Sequence, residues 1–267
     1  MSALSYTATD SATMLRRNLR RLLHYPSMTL MLVGMPIVFL LLFVYVFGGQ
    51  LGAGLGHQLA GGRTGRAGYL NYVAPGLLLM TVAAAVQGTA IVVAMDMTGG
   101  IIDRFRTMAI ARASVLIGHV LASVIQAVLS IAIVLGVAIG LGFRPTADPA
   151  DWLAAIGVLL LFTLALIWLA TALGLAAKSV ETASNTPMFL TLLPFLGSGF
   201  VPTSTMPAGL RQFATYQPFT PVTETVRGLL TGTPIGWNAA GAIAWSVGIA
   251  VAAYLWARHL YDHRHAS

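Results

Sequence analysis

Long apolar runs separated by short polar excursions set the pattern of this chain. Crossing a hydrocarbon core about 30 Å thick takes about 20 apolar residues at 1.5 Å each. Six runs meet or approach that length: Met28–Phe47, Asn71–Met95, Ser114–Leu141, Trp152–Ala177, Thr186–Val201 and Asn238–Ala257. The third is overlong and is expected to tilt or to extend past the bilayer. The fifth is the shortest and carries Pro187 and Pro194, so it is expected to be broken or not to span alone. Ahead of the first run, Thr13–His24 sorts by helical period. Leu15, Leu19, Leu22 and Leu23 share one face, Arg16, Arg17, Arg20 and Arg21 take another, and Pro26 ends or bends the helix. Such a segment lies along a membrane surface or serves as a basic anchor, and the two roles are compatible. The pattern predicts an all-α integral membrane protein of six spans in a single domain, 1–267. Within it, 1–27 is a cytoplasmic amphipathic helix, 28–258 the membrane domain and 259–267 a cytoplasmic tail.

Composition narrows the class further. Only 9% of the 267 residues are charged and 57% are hydrophobic, whereas soluble domains carry about 25% charged residues. A soluble globule would lack a polar coat. The net charge of +7 is not interleaved with aromatics in a soluble domain, so nucleic acid is not an expected partner; basic residues facing lipid headgroups explain it better. With the N-terminus inside, the inner side holds Arg16, Arg17, Arg20, Arg21, Arg104, Arg106, Arg112, Lys178, Arg258 and Arg264, and the outer side Arg63, Arg66, Arg144, Arg211 and Arg227. That bias predicts both termini in the cytoplasm. The first run is too long for a signal-peptide core and no small-x-small site closes it, so it reads as a retained helix. No cysteine is present, which excludes disulfides and thiolate chemistry. Gly48–Gly68, with His57, Arg63 and Arg66, reads as a flexible outer loop; Arg144–Asp151 is a polar turn whose Asp148 or Asp151 is able to cap the next helix.

Three kinds of active chemistry fail on the residues. There is no HExxH, no GxSxG and no dense His/Asp/Glu cluster with metal-ligand spacing. The Tyr261–His265 tail reads as solvated rather than metal-binding, and His57 and His119 as a solvated and a packed histidine. An ion-coupled carrier needs titratable groups near the bilayer midplane. All eight acids, Asp10, Asp96, Asp103, Asp148, Asp151, Glu181, Glu224 and Asp262, fall outside the span centres, with Asp96 the nearest exception. A P-loop needs Gly-Lys-Ser/Thr, yet the sole lysine, Lys178, follows Ala177 at the close of a membrane run. No catalytic, cofactor-binding or metal residue is therefore expected, and ATP, if it drives the protein, must sit on another chain.

Two segments stand out. Between the second and third runs, Ile101–Arg112 gathers Asp103, Arg104, Arg106 and Arg112 beside Ile102 and Phe105, an apolar plug with a charged rim suited to docking a cytoplasmic partner. A partnerless positive-inside loop has the same composition. Toward the other side, Phe200–Leu230 stays apolar although Pro202, Pro207, Pro218 and Pro221 forbid one helix. Short helices dipping into the outer leaflet fit this better than a free loop, and Glu224 and Arg227 are spaced i, i+3 for a pair on one face. An ordinary folded extracellular loop is the alternative.

The stretches Tyr72–Thr81 (YVAPGLLLMT), Gly99–Gly118 (GGIIDRFRTMAIARASVLIG) and Gly199–Leu230 resemble the permease subunits of type-2 ABC exporters, in particular the daunorubicin-resistance-like drug-efflux permeases. The resemblance covers most of the chain. It implies that Ile102, Asp103, Arg104, Phe105, Arg106 and Arg112 form a coupling helix against a separate ATPase subunit, two copies per complex. It makes Thr13–His24, with its four arginines, a connecting helix, and the Pro202–Leu230 segment, with Pro202, Pro207, Pro218, Pro221, Glu224 and Arg227, a re-entrant gate. The second and fifth spans would line a substrate path at Met80, Thr81, Gln87 and Gly88 and at Thr191, Leu192 and Phe195. ATP and Mg would be held by the partner, a second permease copy or relative would complete the membrane unit in the plasma membrane, and hydrophobic drugs or lipids would be cargo. A lipid or polysaccharide exporter, a secondary transporter and a non-transporting scaffold remain alternatives. Family members often carry proline at Ala109, arginine at His119 and an acid near Ser123, which puts details of the coupling surface in question.

Overall fold

A computed structural model describes residues 26–54, 65–99 and 112–263. The described chain is helical. It runs as α1 (Pro26–Leu41), a π-helical segment (Leu42–Phe47), α2 (Gly48–Gly54), α3 (Gly65–Thr98), α4 (Arg112–Gly140), α5 (Pro149–Ala176), α6 (Val180–Asn185) and α7 (Met188–Leu192). A short 3-10 turn (Thr203–Thr205), α8 (Ala208–Tyr216), α9 (Phe219–Thr231) and α10 (Asn238–His263) follow. Among the described residues five helices are long and apolar enough to cross a membrane: Leu32–Gly54, Gly65–Thr98, Ile117–Gly140, Pro149–Ala176 and Asn238–Tyr261.

The expected fifth span is not one of them. Thr186–Val201 instead follows α6 and is built from α7 and a succession of turns to Phe200. Pro187 and Pro194 remove backbone donors and obstruct the preceding turn, so no regular helix passes through them. The segment still runs lengthwise along α3: Gln87 Nε2 donates to the Ser184 carbonyl at 3.1 Å, and Tyr69 Oη to the Phe200 carbonyl at 3.2 Å. Tyr69 and Gln87 lie about 27 Å apart along an ideal helix.

Helix α3 is the mast of the bundle, buried along most of its length and packed by α1, α4, α5, α6, α7 and α9. Lipid offers no hydrophobic drive between helices, so close approach depends on small residues and internal hydrogen bonds. Gly76 shows this best: a Cβ there would collide with the backbone of Gly199. Gly174 of α5 does the same against Ala90 and Val93. On the other flank α10 packs along α5, with Trp168 edge-on to Tyr254 at 5.0 Å.

Two expected boundaries move. The Gly48–Gly68 loop is partly helical: α2 continues the first span to Gly54, and α3 already begins at Gly65. The glycines allow it, since any side chain on Gly52 would overlap Gly65. At the other terminus α10 runs to His263 rather than stopping at Ala257, because Tyr261 packs into a cluster with Val93, Ala172, Leu175 and Ala257. The start of α5 follows the sequence reading, with Asp148 Oδ1 accepting from the Asp151 amide at 2.8 Å.

The α8–α9 pair forms a hairpin that dips into the bundle. At about 14 and 20 Å, helices of nine and thirteen residues are too short to cross. The hairpin tip, Gln217, donates to the Leu193 carbonyl at 3.3 Å and caps α9 by accepting from the Phe219 amide at 2.9 Å. Phe219 meets Phe162 edge-on at 5.1 Å, about halfway along α5. At its far end α9 returns to the α4–α5 turn, where the Thr146 amide donates to the Leu230 carbonyl. Gly232, at φ 72°, takes the left-handed conformation that ends the helix. The prolines expected to forbid one long helix sit at breaks or helix starts: Pro202 before the 3-10 turn, Pro207 before α8, Pro218 before α9 and Pro221 in its first turn. First-turn amides have no intrahelical partner, so proline loses nothing there.

Candidate transport groove

A cavity of about 660 Å³ opens between α1, α3, α4 and the α6–α7 segment. Its walls grade in character. Toward the hairpin end it is lined by Met35, Phe39, Met80, Leu192 and Phe195; deeper along α3 and α4 come Gln87, Thr89, His119, Ser123 and Gln126. Of the residues expected to line a path, Met80, Gln87, Gly88, Thr191, Leu192 and Phe195 all face this groove. Thr81 does not: it is fully buried and its hydroxyl donates to the Leu77 carbonyl within α3. The contributions of α1 and α4 escaped the sequence reading, because the α1 lining is apolar like any span and the polar residues of α4 are scattered along an apolar run. Ser123 and Gln126, one turn apart, were the available signal.

Two of the lining rings, Phe39 and Phe195, belong to a cycle of four phenylalanines beside the groove. Phe195 stacks on Phe200 (4.6 Å, 8°) and Phe200 on Phe43 (4.6 Å). Phe39 meets Phe195 edge-on at 5.5 Å and stacks on Phe43 at 6.2 Å, completing the cycle. The rings join α1 and the π-helical segment to the proline-broken segment, the two least regular parts of the bundle. π-helical turns recur at functional sites.

At the polar end of the groove, His119 Nε2 lies 3.2 Å from Asp96 Oδ2, with both residues buried. Sequence reading treated each alone, His119 as a packed histidine and Asp96 as an acid near a span end.

Behind the groove, on the hairpin, Arg227 is 2% exposed. Its guanidinium donates to Glu224 Oε1 at 2.6 Å, to the Tyr72 carbonyl at 3.1 Å and to the Ser198 carbonyl at 2.7 Å, and lies 3.9 Å over the Tyr72 ring. Tyr72 Oη donates to the same Ser198 carbonyl at 2.9 Å. The i, i+3 spacing pointed to the Glu224 partner; the two carbonyls and the ring come from distant elements and left no mark in sequence. One cation thus ties α9, α3 and the broken segment together. Hydrogen bonds to charged groups contribute about 1.5–3 kcal/mol each, and a desolvated cation over a ring about 2 kcal/mol.

The expected coupling residues Ile102, Asp103, Arg104, Phe105 and Arg106 and the connecting-helix arginines Arg16, Arg17, Arg20 and Arg21 lie outside the described residues. Arg112 opens α4, with its side chain outside the description.

Comparison with known proteins gives this geometry a setting. The daunorubicin resistance ABC transporter permease protein DrrB1 of Streptomyces coeruleorubidus is 29% identical over 245 residues, 91% of this chain and 82% of that protein. A probable doxorubicin resistance ABC transporter permease protein, DrrC, of Mycobacterium tuberculosis is 26% identical over 177 residues, 65% of this chain and 64% of its own length. The family model described as ABC-2 type transporter matches residues 10–231, from ahead of the first span to the last turn of α9. This all-helical, multi-pass membrane chain belongs to the ABC-2 type transporter family.

Proposed function

We propose that the chain is the permease subunit of an ATP-driven exporter that moves amphipathic drugs out of the cell. The observation that carries this is the groove itself. Its volume falls within the range of small-molecule sites, about 300–1,000 Å³, and it combines apolar walls with a few hydrogen-bonding groups. Similarity to permeases named for daunorubicin and doxorubicin resistance supports the same reading. The broken segment makes the sixth crossing beside α3, and both termini and the 100–111 segment face the cytoplasm, in line with the basic residues at that end. The α8–α9 hairpin seals the outer side.

The chain hydrolyses no ATP itself. Ile102, Asp103, Arg104, Phe105, Arg106 and Arg112 dock one of two ATPase subunits, which hold ATP and Mg, while the helix bearing Arg16, Arg17, Arg20 and Arg21 lies along the inner surface. A second permease copy or a relative completes the membrane unit. Closure of the ATPases on ATP then drives a rigid-body switch of the groove from inward- to outward-facing.

Proteoliposomes holding this chain with its ATPase are expected to accumulate daunorubicin only when ATP is supplied, and the purified chain alone to accumulate none. Uphill movement by the lone chain, or an ATP-fuelled complex that moves headgroup-labelled phospholipid and no drug, would overturn the assignment.

A further inference from the structure

The contact between Asp96 and His119 has no part in what has been assigned so far. Ionisable side chains inside a membrane domain are expensive and are kept where they serve a function. Both are almost fully buried, at 1% and 4% exposure. Asp96 lies in the last turn of α3, and His119 in the early turns of α4. In sequence, the segment 100–111 joins these two helices. The pair therefore clamps together the two helix ends on either side of the expected docking segment.

His119 has a second face. It lines the groove together with Ala122, Ser123 and Gln126, one helical turn or two further along α4. On the other side of α3, Ala94 packs with Ala177 and Ala183, which brings the end of α5 and the start of α6 to the same level. A ligand filling the polar half of the groove would press on the imidazole, and through Asp96 on the end of α3. Coupling between sites requires an element with discrete arrangements that both sites bias. The buried acid–imidazole contact, closed at 3.2 Å in this structure, is where the groove and the end of α3 meet.

We propose that Asp96 and His119 are positioning residues that transmit between the groove and the segment docking the ATPase, so that an amphiphile in the groove sets how that segment meets its partner. The proposal rests on the permease reading above.

The test compares Asp96→Asn, His119→Leu, His119→Arg and the double variant D96N/H119L, each reconstituted with the ATPase subunits. Basal and daunorubicin-stimulated ATP hydrolysis are measured alongside melting temperature. A purely structural pair predicts that the double variant, which removes both members of the contact, regains wild-type stimulation. Transmission predicts the opposite: melting near wild type and daunorubicin still bound, read by quenching of its fluorescence, with the ratio of stimulated to basal hydrolysis down about tenfold or more, within the range of coupled sites. His119→Arg keeps an N–H donor opposite Asp96 and is expected to keep stimulation. Wild-type stimulation in the double variant overturns the proposal. So does a loss in a folded His119→Arg as deep as in His119→Leu, and that comparison decides should the double variant fail to fold. If the wild-type complex exports nothing, the permease reading fails instead.

Discussion

Two regions hold the proline-broken segment in place, and they do so by opposite physics. At the hairpin, Arg227 reaches Glu224, two backbone carbonyls and the Tyr72 ring from a site closed to solvent. Beside the groove, Phe39, Phe43, Phe195 and Phe200 meet only through ring contacts. A buried charged network is all-or-none, because parting any bond strands a desolvated group. Aromatic contacts are worth about 0.5–1.5 kcal/mol a pair and survive sliding, since every ring has alternative offsets. The hairpin and α3 should therefore move as one body with residues 198–200, and α1 should shift against them across the ring seam.

The largest effect should come from breaking the lock. Arg227→Leu leaves the half-buried Glu224 without its partner and takes a donor from the Tyr72 and Ser198 carbonyls, the latter keeping Tyr72 Oη, and about 3 kcal/mol of stability should go, read as a lowered thermal midpoint in detergent. Arg227→Lys keeps the charge without the planar fork and should fall between that variant and wild type. Next comes Gly76→Val, whose side chain has no room beside Gly199. Overpacking of about 1–3 kcal/mol, with loss of the Tyr72–Ser198 contact, should follow in the same measurement.

Variants of the seam should separate stability from transport. Joining Phe39→Cys to Phe195→Cys with a short bifunctional maleimide is practical because the chain has no cysteine of its own. Export should stop with little change in melting; full export by the linked protein would place the moving boundary elsewhere. A double-alanine cycle at the same two positions should give a coupling of about 0.5–1.5 kcal/mol. Smallest of all is Thr163→Val. Its hydroxyl is buried with no hydrogen-bond partner among the described residues, so its loss should be neutral or raise stability by less than about 1 kcal/mol.

Much of this architecture was legible from residue order. Five apolar runs appear as long helices near the expected positions, Asp148 caps α5, and the prolines of 202–221 fall at turns and helix starts. Each of those depends on neighbours within a turn or two: apolar length, a capping oxygen, a missing amide hydrogen. Glu224 and Arg227 were visible for the same reason, being one turn apart on a single helix. The continuation of the first span to Gly54 was hidden because glycines read as loop until a second helix end is found packed against them.

Residue order by itself determined that this is a helical membrane protein, the places of five long helices and of the proline breaks, and which face of α9 carries charge. Only the tertiary structure decided that Asp96 meets His119, that Arg227 closes on Tyr72 and Ser198, and that α1 and α4 share the groove with α3 and the broken segment. The reason is physical. Local rules act through backbone geometry over one or two turns, whereas these contacts join helices whose rotation and depth are set by small-residue packing and by the need to satisfy buried polar groups away from water.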